Sequence, residues 1–83
     1  MQFDNLPFVN VTNGVRNNWC VVSSGNYAVD CQTGAEYFQS LKRVSDMTNN
    51  PQLIQYVMQD IVRAGQVNGI EVGFISALTA SLA

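Results

Sequence analysis

The chain contains no histidine. That absence removes the side chain most often used as a general base near neutral pH, and the commonest transition-metal ligand. Charge is scarce as well: Asp, Glu, Lys and Arg make up 12% of 83 residues, about half the usual share. The four basic residues, Arg16, Lys42, Arg43 and Arg63, are spread along the chain. Phosphate neutralisation needs several cations on one face, so no nucleic-acid partner is expected. Long apolar runs are missing too. The longest, Val72 to Ala83, is too short for a bilayer and is broken by Ser76, Thr79 and Ser81. The opening Met1-Gln-Phe-Asp has neither the cationic start nor the apolar stretch of a signal peptide. The expectation is a cytoplasmic protein with no membrane segment.

Catalytic patterns are equally absent. Two cysteines without histidine make no zinc site, and there is no Gly-rich phosphate loop, nucleophile elbow or paired-carboxylate spacing. Of the six carboxylates, Glu36 and Glu71 read as helix-cap residues, and Asp60 stands three residues before Arg63. No catalytic residue, cofactor or metal is assigned, and the expectation is a protein that is not an enzyme.

What remains is a strong set of folding signals in one small domain, residues 1–83. Asn13-Gly14 and Gly25-Asn26 both read as two-residue hairpin turns flanked by β-branched and aromatic residues. The first pairs Thr12 with Val15, Val11 with Arg16 and Val9 with Asn18. The second pairs Ser24 with Tyr27, Val22 with Val29 and Cys20 with Cys31. Together they predict a three-stranded antiparallel meander over about residues 8–32. Alternation then puts Val9, Val11, Cys20, Val22, Tyr27, Val29 and Cys31 on a core face. Phe8, Val15, Trp19, Val21, Ala28 and Asp30 fall on the opposite face, with Asp30 solvated.

Three helices follow. Thr33-Gly-Ala-Glu36 reads as a capping box opening a helix over about 34–47, with Phe38, Leu41 and Val44 inward and Lys42 and Arg43 outward. Asn50-Pro51 opens a second over 51–64, closed by Gly65. Its doubled stripe of Leu53, Ile54, Val57, Met58, Ile61 and Val62 marks it as the central helix. Asn68-Gly-Ile-Glu71 is a capping box for a third helix over 69–82, with Ile70, Phe74, Leu78 and Leu82 at intervals of four. On it Gly73, Ala77 and Ser81 form a small-residue groove that favours close packing within the chain, with the same helix of another copy as the alternative. Strands followed by helices predict an α+β fold, with three helices packed on one face of the sheet.

The facing Cys20 and Cys31 read as two free thiols in a reducing compartment, with a redox pair as the alternative. The surface of Phe8, Val15, Trp19, Val21 and Asp30 is a protein-binding face. The competing structural reading folds the N-terminal arm, Phe3 and Leu6, or a helix across it. Low charge permits self-association. The expectation is a small non-catalytic interaction module (adaptor, inhibitor or assembly component) that binds a protein partner or itself. The alternatives are a ligand module using Tyr27, Tyr37 or Tyr56, a nucleic-acid module if Arg16, Lys42 and Arg43 converge, and a subunit of a larger enzyme.

Overall fold

Two successive residues with positive φ, Asn13 at 52° and Gly14 at 77°, reverse the chain as a two-residue hairpin requires. They join β1 (Asn10–Thr12) to β2 (Val15–Asn17) in an antiparallel pair. The register is Thr12↔Val15, Val11↔Arg16 and Asn10↔Asn17, as the Asn-Gly turn predicts. The computed structural model describes residues 6–65 and 67–82. The expected role of Phe3 lies outside them, while Leu6 is buried at 2% exposure.

The second turn does not build a hairpin. Gly25 has φ +87°, and the chain passes from it into α1 (Tyr27–Thr48) instead of returning as a strand. The reason is a competition for Asn26. Its side-chain oxygen accepts from the Val29 amide at 3.2 Å, which makes it a helix N-cap. An acidic residue, Asp30, then occupies the first turn, where the helix dipole favours it. The third strand is therefore replaced by two further helical turns, and the helix begins at Tyr27 instead of residue 34. Thr33-Gly-Ala-Glu36, read as a start signal, lies inside it.

Two more helices complete the fold, α2 (Gln52–Ala64) and α3 (Gly69–Ser81), giving an α+β arrangement of a two-stranded antiparallel sheet and three helices. Their starts fall within a residue of the signals, with Pro51 and not Asn50 as the N-cap of α2. Asn50 Oδ1 accepts from Gln52 N at 3.3 Å, and Gly65 closes α2 at φ 71°. At the start of α3, the Asn68/Glu71 capping box forms, with Glu71 Oε1 accepting from Asn68 N at 2.8 Å. The central element is α1, not α2. At about 1.5 Å per residue, its 22 residues span roughly 33 Å, nearly the 35 Å longest dimension of the molecule. Both other helices pack against it.

The helices do not lie on the sheet. All six strand residues are exposed, so the hairpin stands off the helical body. The segments flanking it supply the core instead. Phe8 and Trp19 stack at 5.3 Å between centroids, and Cys20 N donates to the Phe8 carbonyl at 2.8 Å. Both rings join Tyr37, Phe38 and Phe74 in a cluster of tilted and edge-on contacts. The predicted faces are thus not kept: Phe8 and Trp19 are buried, whereas Val11, Val22, Tyr27 and Val29 are exposed, and of the expected core face Val9 packs against the core. Two aromatic rings bury more apolar area than the valines opposite them, and that area decides which side turns inward.

Backbone-to-backbone approach of α1 and α3 sets the helical core. A Cβ on Gly73 would overlap the Cys31 carbonyl oxygen, and one on Gly34 would overlap the Ile70 carbonyl oxygen. Of the small-residue stripe on α3, Gly73 thus packs within the chain, Ala77 is half-buried and Ser81 is exposed. Overlap with backbone cannot be relieved by a rotamer change, and separating the helices would open the aromatic core. Gly34→Ala and Gly73→Ala should each destabilise the fold by at least ~3 kcal/mol in chemical denaturation. A loss below 1 kcal/mol for both would show that the crossing is wider than this.

Candidate functional site

Of the five residues expected on a protein-binding face, only Val15 is exposed, at 70%. Phe8 (0%) and Trp19 (6%) belong to the core, Val21 packs partly against it, and Asp30 is 3% exposed. The aromatic pair is covered from within, by Leu6 and the helices.

Asp30 is neither on a strand nor solvated. In the first turn of α1, it accepts three hydrogen bonds from the irregular segment ahead of the helix. Ser23 Oγ donates at 2.5 Å, Ser24 Oγ at 2.8 Å and Ser24 N at 3.0 Å. The Ser23 bond, then the two from Ser24, hold its carboxyl below the usual range, and burial opposes them only in part. Glu71 also accepts hydrogen bonds, on the other side of that segment. It is 4% exposed, and its Oε2 accepts from the Trp19 indole N–H at 2.7 Å while Oε1 serves the α3 cap. Both buried carboxylates are thus committed to structural donors, and together they strap residues 19–24 across the N-terminal ends of α1 and α3.

Under the strap lies a cavity of about 100 Å³ between Trp19, Val21 and Ser23 on one side and Ala64, Ile70 and Glu71 on the other. Small-molecule sites commonly occupy ~300–1,000 Å³, so this space is small for one. The cysteines are both free: Cys20 is exposed on the irregular segment and Cys31 is half-buried on α1. The strand register that would have faced them does not form. Among the described residues, no group of three or more Cys, Asp or Glu side chains is placed to hold a metal. Arg16 lies on β2 and Lys42 and Arg43 on α1, so the three are divided between two elements. No helix is long and apolar enough to cross a membrane.

The exposed apolar surface lies elsewhere. An open groove of about 360 Å³ runs between β2 and the end of α2, bordered by Val15, Asn17, Asp60 and Ala64. Beyond it the outer face of α2 presents Met58 and Val62, the latter 74% exposed. The sign of this surface in the sequence was the doubled stripe of α2. Its first row, Leu53, Val57 and Ile61, is buried, and the second leads outward from half-buried Ile54 and Met58 to Val62. Further exposed apolar residues are Val11, Val22, Val67 and Leu82. No family model matches this chain, and no curated protein or solved structure matches it either.

Two measurements check the strap. Trp19→Phe keeps an aromatic side chain but, besides trimming the indole, leaves Glu71 Oε2 buried without its donor, and should cost at least about 2 kcal/mol in urea unfolding. Because Asp30 has a lower pKa folded than unfolded, its contribution is complete above the unfolded value near ~3.9 and drains away as pH falls through the folded value. Asp30→Asn should therefore flatten the acid limb of a stability–pH profile below pH ~4 and lower stability near neutrality. An unchanged acid limb would remove Asp30 from the account.

Proposed function

We propose that this protein is a small non-catalytic interaction module that self-associates, using the projecting hairpin as its contact element. The observation that carries this reading is the exposure of all six strand residues. An isolated two-stranded hairpin is marginal in water, and none of the six strand residues here is buried. Its ladder is worth forming where something else covers it. The low charge of the chain supports the same conclusion, since few like charges oppose the approach of a second copy. Exposed Val15 and Val62 beside the β2–α2 groove add apolar area on the same side of the molecule. A catalytic reading has less behind it, because the two buried acids already serve structural donors.

The test is light scattering across a dilution series, comparing the natural chain with Gly14→Val. Gly14 sits at φ +77° with nothing within 4 Å of an added Cβ, so the change strains the turn alone, by about 1–2 kcal/mol. The natural chain should grow in mass with concentration. Gly14→Val should stay monomeric with its helical circular dichroism retained. A natural chain that is monomeric throughout would sink self-association, and association that survives Gly14→Val would move the contact off the hairpin.

A further inference from the structure

We propose that the outer edge of β1 pairs with β1 of a second copy, joining two hairpins into one four-stranded antiparallel sheet about a two-fold axis. This rests on the self-association reading and names its surface.

The hydrogen-bond pattern of the ladder leads to it. In a two-residue hairpin the pair beside the turn exchanges both of its backbone bonds, and bonded and non-bonded pairs then alternate. Thr12/Val15 and Asn10/Asn17 are bonded pairs, and Val11/Arg16 between them is not. The N–H and C=O of Val11 therefore point away from β2. Val11 is 51% exposed, and among the described residues neither group has a hydrogen-bond partner. One residue thus presents a donor and an acceptor side by side on an open edge.

Such an edge is its own complement. With Val11 opposite Val11 of the second copy, the two exchange both bonds, and Asn10 comes to lie opposite Thr12. The usual defences of an exposed edge, a charge, a proline or a bulge, are absent from Asn10-Val11-Thr12. β1 carries no charged side chain, so two copies meeting along it bring neutral side chains together. Size fixes the strength. Two three-residue strands bury well under the ~1,200–2,000 Å² of a stable interface, so the association is weak, reversible and dependent on concentration.

The experiment is sedimentation equilibrium of the full chain over a dilution series, with Val11→Pro and Val11→Lys beside the natural protein. Proline deletes the outward N–H and leaves both bonded pairs of the hairpin intact. It should weaken dimerisation tenfold or more, with Trp19 emission and helical circular dichroism unchanged. Lysine opposes two like charges at the two-fold, so Val11→Lys should be monomeric at low salt and recover dimer at high salt. It decides the matter if the proline variant fails to fold. If the folded proline variant, or the lysine variant at low salt, dimerises as tightly as the natural chain, the edge assignment is overturned while self-association stands. A natural chain that stays monomeric at every concentration overturns both.

Discussion

The hydrogen bond from the Trp19 indole to the Glu71 carboxylate joins groups 52 residues apart, and much of the structure depends on it. A tryptophan this deeply buried needs a partner for its N–H, and a buried carboxylate needs donors for both oxygens. Each supplies what the other requires. Glu71 is held at the start of α3 by its cap role, which positions its second oxygen for Trp19. Phe8 packs against Trp19 through a tilted ring contact, and the Cys20–Phe8 backbone bond ties the two segments together. The hairpin is left outside because the residues on either side of it are the ones pulled in.

The α1–α3 crossing sets the second constraint. Carbonyl groups of one helix occupy the space where a side chain of the other would stand, at Gly34 and again at Gly73. Helices this close leave no room for a sheet layer between them, so the aromatic rings fill the flank of the pair. Phe38 from α1 and Phe74 from α3 meet edge-on at 5.5 Å, and Phe8 and Trp19 pack onto Phe74 from the N-terminal segments. The β-rich half of the sequence therefore acts as a cap on a helical core, and most of its valines stay at the surface.

How much of this was legible in the sequence depends on the range of the deciding interaction. Asn13-Gly14 decides its own turn, so the register of β1 and β2 could be read residue by residue. The starts of α2 and α3 and the end of α2 at Gly65 are likewise local, and fall within a residue or two of their signals. Gly25-Asn26 is ambiguous by nature: a positive-φ glycine followed by asparagine suits a hairpin, and it suits a turn into an N-cap equally well. What settles it is Asp30, which anchors Ser23 and Ser24 at its carboxylate and packs its Cβ beneath Gly69 of α3. That second contact is long-range and leaves no local trace. With a hairpin at Gly25-Asn26, alternation places Val22, Tyr27 and Val29 inward and Asp30 outward, the reverse of their burial in the structure. The helix positions Phe38, Leu41 and Val44 escaped, because helical periodicity does not depend on where the helix starts.

The low charge of the chain bears directly on the proposed self-association. A hairpin excluded from the core has unsatisfied backbone groups along its edge. Water can serve them, or a second strand can. Lysine or glutamate at position 11 would defend the edge against pairing at little cost to the hairpin, since Val11 takes no part in its bonded ladder and lies at the surface. The chain places an uncharged β-branched residue there instead, flanked by Asn10 and Thr12, which are polar enough for water and small enough to tolerate a neighbouring strand. Short strands keep such an edge from becoming an aggregation template, because three residues offer too few bonds to propagate without the two-fold closure that uses them up. The same shortness that makes the hairpin marginal alone would keep the proposed pairing weak and reversible.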